Sequence, residues 1–343
     1  MTQARQICLA GRPEGGAVQP EHFSLCEREL PPLEDGQVAV EVSHFALDPF
    51  VRGLMDERSS SGDAMGGFTT AMALGDVIRS EGVGQVAASR APHLREGDRV
   101  TGHFGWTDHV VIDAKSVRPV RSDVDPTWHL AALGISGKTA YFGLMAAHPS
   151  PGQTVLISSA AGAIGSLCGQ IARLKGLDPV GLAGGLEKCE WLTDSCGYSA
   201  ALDYRRKSFE ALSAELAELR PDGIDVFYDN VGGAILDAAI RCMAPKGRVV
   251  ICGTISQYAH KGEEELAPRW NRRVLSMGLT IRGFNVLESA ERTDDFEEEM
   301  HAWLVNGGIR QNIHVFEGLA AAPDALISLL SGSYRGKVLV QVA

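Results

Sequence analysis

The sequence lacks the features that mark three large classes of protein. No run approaches the roughly 18 consecutive apolar residues of a membrane-spanning helix. No stretch dense in lysine and arginine offsets the formal net charge of −11, which argues against general nucleic-acid binding. The N-terminus, MTQARQICLAGRPEGG, has no basic region followed by an apolar stretch and a cleavage site. We therefore expect a cytoplasmic protein that neither spans a membrane nor binds nucleic acid.

Metal-ligand spacing is also missing. The seven cysteines are scattered, no C-x-x-C pair occurs, and none of the ten histidines stands beside a cysteine or glutamate at ligand spacing. Structural and catalytic zinc sites use such residues at short, regular intervals. We therefore expect no bound metal, and we interpret the cysteines as free, mostly buried thiols.

The length and pattern of the chain predict two domains. A chain of 343 residues exceeds one ordinary core. Short alternating segments punctuated by Gly and Pro fill the first 120 residues or so, and they are typical of a mostly antiparallel, barrel-like sheet. Short apolar strands then alternate with helices, which is the pattern of a parallel sheet. We predict an α/β protein, with a doubly wound domain at 123–305 and the β-rich domain at 1–122 and 306–343.

One turn in the second domain has a recognisable pattern. In AAGAIG, Ala160, Gly162 and Gly165 occupy the three positions of the dinucleotide fingerprint, with Ala in place of the first Gly. A predicted strand precedes the turn and a predicted helix follows it. Such a turn lets the backbone approach a pyrophosphate, which the free N–H groups at the helix N-terminus bind. The turn predicts a Rossmann dinucleotide site.

The end of the second strand distinguishes the two nicotinamide dinucleotides. NAD enzymes usually place an acid there to bind the ribose hydroxyls, whereas this strand ends in Ala183, Gly184 and Gly185. Lys188 opens the next helix, and Tyr204 follows the third strand. A cation without a neighbouring acid favours a 2′-phosphate, so we expect NADP.

Later strand ends carry further candidates. Ligands of such sheets bind outside the carboxyl ends of the strands, where Asn230 and Tyr258 stand in the sequence. We expect Asn230 to bond a ribose or amide group, or to cap the next helix. Tyr258 has the only aromatic hydroxyl in the loop after VVICG, so it is a candidate to contact the cofactor or donate to an oxyanion.

Five ordered segments carry a family resemblance. LGISGKTAYFGL, AAGAIGSLCGQIARLKG, FYDNVGG, ICGTISQY and IRGFNV resemble the zinc-independent medium-chain dehydrogenase/reductases, within them the prostaglandin reductase and alkenal double-bond reductase branch. The resemblance covers nearly the whole chain. It implies a GroES-like domain, a Rossmann domain, a homodimer, and NADPH-dependent reduction of a carbon–carbon double bond conjugated to a carbonyl. The cofactor contacts that it implies are Gly162, Ala163, Ile164, Lys188, Tyr204, Asn230, Cys252, Ser256, Tyr258, Phe284 and Val286.

Two positions depart from the family pattern. Many relatives have a Tyr where this chain has Ser276, and the usual Asn of a late segment is replaced by Tyr334. The family Tyr is proposed to steady an enolate, so the resemblance implies Tyr258 and Ser276 as the candidate catalytic residues.

The expected reaction needs no Lewis acid. Hydride added to the β-carbon of an enone leaves a delocalised enolate, which one or two hydrogen bonds stabilise. We expect the cofactor's ribose hydroxyl and Tyr258 or Ser276 to hold the enolate oxygen while solvent protonates the α-carbon. A quinone reductase, an enoyl thioester reductase and a non-catalytic NADPH-binding protein remain as alternatives.

Overall fold

A computed structural model describes residues 3–14, 16–56, 71–258, 269–287, 289 and 293–342. The chain forms two compact units, Met1–Gly134 with Ile313–Ala343, and Ile135–Asn312. The domain boundaries drawn from the sequence, after residue 122 and before residue 306, stay a prediction.

The first unit consists largely of strands. Two short helices accompany them, α1 (Val51–Leu54) and α9 (Ala322–Leu330). The strands are β1 (Gln3–Leu9), β2 (Phe23–Glu29), β3 (Gln37–Leu47), β4 (Gly82–Ser89), β5 (Arg99–Gly102), β6 (His109–Asp113), β7 (Val117–Pro119), β14 (Ile313–Glu317) and β15 (Lys337–Gln341).

Strand pairing in this unit is mostly antiparallel. The larger sheet has the order β14-β15-β3-β4-β5-β7, with β6 also on β3, and only β14 and β15 run parallel. Strands β1 and β2 form a separate antiparallel pair. The buried indole of Trp106 stacks on Phe23 and Phe45, at centroid distances of 5.7 and 5.8 Å. The predicted mostly antiparallel sheet is confirmed, and its closure into a barrel stays a prediction.

The second unit alternates strands and helices. Its strands are β8 (Thr154–Ile157), β9 (Asp178–Ala183), β10 (Ala200–Asp203), β11 (Ile224–Asp229), β12 (Met243–Ile251) and β13 (Thr280–Gly283). Its helices are α2 (Ile135–Met145), α3 (Ala163–Leu174), α4 (Leu186–Ser195), α5 (Phe209–Leu219), α6 (Gly233–Arg241), α7 (Asn271–Met277) and α8 (Thr293–Val305).

The six strands form one parallel sheet in the order β10-β9-β8-β11-β12-β13. Counted from β8, this is 3-2-1-4-5-6, the order of a doubly wound Rossmann sheet. Its central strands are mostly apolar and buried, because helices cover both faces. The predicted Rossmann domain is confirmed. The strand order reverses between β8 and β11, so the ligand crevice of such a sheet opens at their carboxyl ends.

Local signals set the ends of the helices. The Ser208 hydroxyl accepts a hydrogen bond from the backbone N–H of Ala211 and caps α5. Gly278, at φ 62°, ends α7 in the left-handed conformation that glycine adopts without strain. Among the described residues, the structure contains no helix with the length and apolar character needed to cross a membrane.

Candidate dinucleotide site

The turn after β8 brings helix α3 very close to the preceding backbone. A Cβ on Gly165 would lie 2.3 Å from the carbonyl oxygen of Ser159, so only glycine fits this position. Ser159 has a φ of 48°, which is strained for a residue with a side chain. These features produce the tight turn that the fingerprint predicts.

The same turn leaves the N-terminus of α3 open. Gly162 is the N-cap residue, and no described side chain caps the helix. The N–H groups of Ala163 and Ile164 belong to its first turn, where they lack intrahelical acceptors. The helix dipole adds partial positive charge at this end. The turn therefore has both requirements for binding a pyrophosphate.

Three polar residues form a buried network where β8 and β11 end. The Ser158 hydroxyl donates to Asp229 Oδ1 at 2.7 Å and accepts from the backbone N–H of Asn230 at 2.8 Å. The side-chain amide of Asn230 donates to the Ser158 carbonyl at 2.7 Å. Asp229 also accepts from the backbone N–H groups of Val231 and Gly232. The network fixes the backbone at the switch point of the sheet.

One atom of this network has no partner among the described residues. Asn230 is 4% exposed, and its Oδ1 is buried without a hydrogen bond. A buried carbonyl oxygen that is left unsatisfied costs about 1–3 kcal/mol. At the switch point, an N–H or O–H group of a bound ligand would satisfy it. A ribose hydroxyl or a carboxamide of a dinucleotide is such a donor, so this residue fits the predicted cofactor.

The loop after β12 packs beside Asn230. Cys252 donates its backbone N–H to the Asp229 carbonyl at 2.7 Å, and the Ser256 hydroxyl donates to the Val231 carbonyl at 2.6 Å. Burial raises the pKa of the Cys252 thiol to about 11, so it stays neutral. Burial also raises the pKa of Tyr258, which keeps the phenol protonated at neutral pH. Tyr258 is therefore a donor and not a base.

Phe284 and Val286 follow the neighbouring strand β13. Phe284 is buried, and its backbone N–H donates to the Ile251 carbonyl at 2.9 Å, which joins the ends of β12 and β13. Val286 is half-buried. The strand-end candidates Asn230, Cys252, Ser256, Tyr258, Phe284 and Val286 thus follow adjacent strands at one edge of the sheet.

A second group of candidates lies where β9 and β10 end. The Arg205 side chain lies against the loop, since a Cβ on Gly184 would be 2.8 Å from its Nε and 3.3 Å from the Tyr204 hydroxyl. Asp203 accepts from the backbone N–H groups of Gly185 and Arg205 at 2.8 and 2.9 Å. Burial raises the pKa of Asp203, but these hydrogen bonds and neighbouring cations outweigh it and lower the pKa overall.

The Oδ1 atom of the acid in this loop therefore already accepts two backbone hydrogen bonds. Both of its loop hydrogen bonds come from the backbone, so Asp203 acts as a brace for the loop. Lys188, half-buried in the first turn of α4, and Arg205 give the loop a positive character. This arrangement fits a 2′-phosphate better than a bare ribose.

Comparisons with known proteins give one consistent result. Residues 5–120 match the family model described as the N-terminal domain of oxidoreductase, and residues 163–306 match the one described as zinc-binding dehydrogenase. The chain is 34% identical to NADPH-dependent curcumin reductase of Escherichia coli, over 99% of this chain and 97% of that protein. It is 35% identical to bovine prostaglandin reductase 1, over 93% of each chain.

The chain belongs to the medium-chain dehydrogenase/reductases. Within them it falls in the zinc-independent double-bond reductase branch, as the resemblance implies. The structure of CurA in complex with NADPH from Vibrio vulnificus superposes with a TM-score of 0.89 at 32% identity, covering 99% of both chains.

The candidate catalytic residue Ser276 does not join the strand-end group of this reductase. It lies on α7, which leads into the amino end of β13, and its hydroxyl donates to the Arg273 carbonyl at 3.3 Å. Because the strands run parallel, the amino end of β13 is at the edge opposite Asn230. Its catalytic role stays a proposal.

The structure adds four residues to the candidate site that sequence reasoning did not select as site residues. Ser158 and Asp229 build the switch-point network, and Asp203 and Arg205 build the loop after β10. Their positions directly at or after strand ends are the available signal. Within the described part of the chain, no three His, Cys, Asp or Glu side chains come together as possible metal ligands.

Proposed function

We propose that the protein is an NADPH-dependent reductase of carbon–carbon double bonds conjugated to a carbonyl. The observation that carries the proposal is the switch point of the Rossmann sheet, where the open N-terminus of α3 and the buried, unsatisfied Oδ1 of Asn230 follow the neighbouring strands β8 and β11. The curcumin and prostaglandin reductases that the chain matches support the reaction class.

NADPH, when bound, supplies the hydride that adds to the β-carbon of the substrate. The residues of this chain would hold it in two places. Gly162, Ala163 and Ile164 offer backbone N–H groups to the pyrophosphate, while Lys188 and Arg205 offer charge to the 2′-phosphate. The remaining proposed contacts are Tyr204, Asn230, Cys252, Ser256, Tyr258, Phe284 and Val286.

Charge on the carbonyl oxygen of the substrate rises as the enolate forms. Tyr258 is protonated at neutral pH and donates a hydrogen bond that strengthens as this charge develops. Ser276 is the second candidate for this role. Solvent supplies the proton to the α-carbon, so the protein needs no dedicated acid at that carbon.

A screen of NADPH oxidation tests the proposal. We expect turnover with enals and enones, and preference for NADPH over NADH, both unchanged by prolonged treatment with a strong chelator. Turnover with quinones alone would identify a quinone reductase, and turnover with enoyl thioesters alone an enoyl thioester reductase. Tight NADPH binding without oxidation by any acceptor would identify a non-catalytic binding protein.

We also propose that the protein is a homodimer in the cytoplasm. Among the described strands, β13 is an edge strand of the parallel sheet, and all four of its residues are exposed. Ile281 on this strand and Leu275 on α7 are 37% and 84% exposed. An exposed edge with apolar side chains is a template for pairing with another chain. Light scattering should give a molar mass twice that of the monomer. The Ile281→Lys variant should give the mass of one monomer.

A further inference from the structure

A basic cavity lies in the second unit, away from the dinucleotide turn. Its volume is about 470 Å³, within the range of small-molecule sites. We call it the arginine cavity. The side chains that define it are those of Phe209, Arg241, Arg269, Trp270, Arg272 and Arg273.

The arginine cavity lies near the amino ends of the strands. Arg241 is the last residue of α6, directly before β12, and Arg273 lies on α7, directly before β13. The Arg273 guanidinium ties these segments together by donating to the carbonyls of Arg241 and Met243, at 2.8 and 3.2 Å. Since all strands run parallel, this is the edge opposite the switch point at Asn230.

The charge in the arginine cavity is strongly positive. Four guanidinium groups line it. Asp237 is the one acid among the lining residues of the described chain, and its Oδ1 accepts from the indole N–H of Trp270 at 2.9 Å. The whole protein carries a net charge of −11, so this concentration of positive charge is local.

Two of the arginines are held in place. The Arg241 guanidinium lies over the Phe209 ring, with Cζ 4.7 Å from the ring centre, and this cation–π contact restrains it. The Nε of Arg273 is buried and has no hydrogen-bond partner in the described part of the chain. A buried donor without an acceptor and a fixed guanidinium are both features of a site for anions.

The lining also has an apolar side. Phe209 and Trp270 are half-buried aromatic residues, and the buried Ile240 also lines the cavity. A single inorganic phosphate would leave most of this surface and volume unused. We propose that the arginine cavity binds a small organic polyanion, with at least two phosphate or carboxylate groups on an apolar or aromatic body.

Calorimetric titration with two probes tests the arginine cavity. ATP and inorganic tripolyphosphate have the same phosphate chain, and only ATP has an aromatic body. Each is titrated at fixed ionic strength, with and without saturating NADP⁺. We expect both to bind one saturable site in either condition, and ATP to bind at least about threefold more tightly. Competition by NADP⁺ would place the ATP at the dinucleotide turn and overturn the proposal.

Matched variants locate the bound probe. Arg269→Glu with Arg272→Glu should weaken ATP binding at least about 30-fold, because each lost charge-assisted hydrogen bond costs roughly tenfold. Arg95→Glu with Lys115→Glu makes the same charge change on exposed residues of the first unit and should leave affinity within about twofold. Equal effects of the two pairs, or no saturable binding to the unmodified protein at millimolar ATP, would refute the proposal. The thermal midpoint of each variant checks that it folds, and no step depends on reductase activity.

Discussion

At the residue scale, the proposed preference for NADPH rests on two cations, Lys188 and Arg205. Lys188→Ala or Arg205→Ala should raise the KM for NADPH about tenfold or more, because a charged contact to the 2′-phosphate contributes roughly 1.5–3 kcal/mol. The KM for NADH should hardly change. Steady-state kinetics with both cofactors measure this difference.

Lys207 provides the matched control for these variants. It stands two residues after Arg205, and its ammonium pairs with Glu215 on α5. Lys207→Ala should leave the KM for NADPH near its original value. If the unmodified protein used NADH and NADPH equally well, the assignment of both cations would be wrong.

Kinetics of a Tyr258 variant can distinguish a catalytic role of this residue from a role in cofactor binding alone. Tyr258→Phe should lower kcat about 10²-fold with little change in substrate KM, because the hydrogen bond strengthens mainly in the transition state. Ser276→Ala should lower kcat about tenfold or less, because Ser276 lies on α7 at the edge of the sheet opposite Asn230. Weaker NADPH binding with normal kcat in Tyr258→Phe would make Tyr258 a cofactor contact only. If neither variant altered kcat, both catalytic proposals would have to be withdrawn.

Sequence reasoning reached part of this site. Gly162 and Asn230 directly follow predicted strands. Because the carboxyl ends of parallel strands lie at one edge of the sheet, the sequence alone places both residues at that edge. The hydrogen-bond partner of Asn230 could not be predicted from the sequence. Ser158 lies 72 positions away and contacts Asn230 only because β8 pairs with β11. The brace of Asp203 on Gly185 likewise depends on the pairing of β10 with β9.

At the element scale, the β8–α3 turn depends on one glycine. Gly165→Ala should destabilise the protein by about 1–3 kcal/mol, because its Cβ would overlap the Ser159 carbonyl oxygen at 2.3 Å and the Ala160 Cα at 2.7 Å. Gly162→Ala is the matched control, with a nearest contact of 3.1 Å to the Ser159 hydroxyl. Urea unfolding should separate the two variants. Equal free energies of unfolding would contradict the tight approach of α3.

Acid should loosen the attachment of β1 in the first unit. Asp108 accepts from the backbone N–H and side-chain Nε of Arg5 on β1, both at 2.8 Å. Burial raises the pKa of Asp108, but the hydrogen bonds from Arg5 and His109 outweigh it and lower the pKa below the ordinary value. A lowered folded-state pKa adds stability above the unfolded pKa near 4, and this stability disappears as pH falls through the folded value.

Thermal unfolding at two pH values checks this linkage. Asp108→Asn should lower the Tm clearly at pH 7 and less at pH 3, because pH 3 lies below the unfolded pKa near 4, where the stabilisation by the ionised carboxyl has begun to fall. Asp222→Asn, at an exposed turn of the second unit, should change the Tm little at either pH. A Tm loss in Asp108→Asn that did not shrink at pH 3 would show that the linkage is wrong.

Strand β10 shows the limit of pattern reading. The other strands of the parallel sheet follow from short apolar segments of the sequence, such as TVLISS and GIDVFYDN, which contain β8 and β11. Ala200–Asp203, the third strand that precedes Tyr204, has only four residues, all half-buried at the sheet edge, so its apolar pattern is weaker than that of the central strands. Its pairing with β9, and not its composition, makes it a strand.

At the scale of the whole molecule, charge is segregated. The net charge of −11 excludes a general affinity for polyanions, whereas Lys188 with Arg205, and the arginine cavity, concentrate positive charge locally. Local clusters of this kind bind phosphate groups without making the surface attractive to nucleic acid. The composition predicts that the protein has no general affinity for polyanions. The arginine cavity could not be predicted in this way, because the fold brings Arg241 and Arg273 together.

The fate of the hydride tests the central claim most directly. NADPH deuterated at C4 on its transferable side is incubated with the protein and an acyclic enone, and the product is analysed by NMR. Reduction of the conjugated double bond predicts a saturated ketone with one deuterium on the β-carbon and a solvent-derived hydrogen on the α-carbon. Deuterium on the carbinol carbon of an allylic alcohol, or no product despite NADPH binding, would contradict the account.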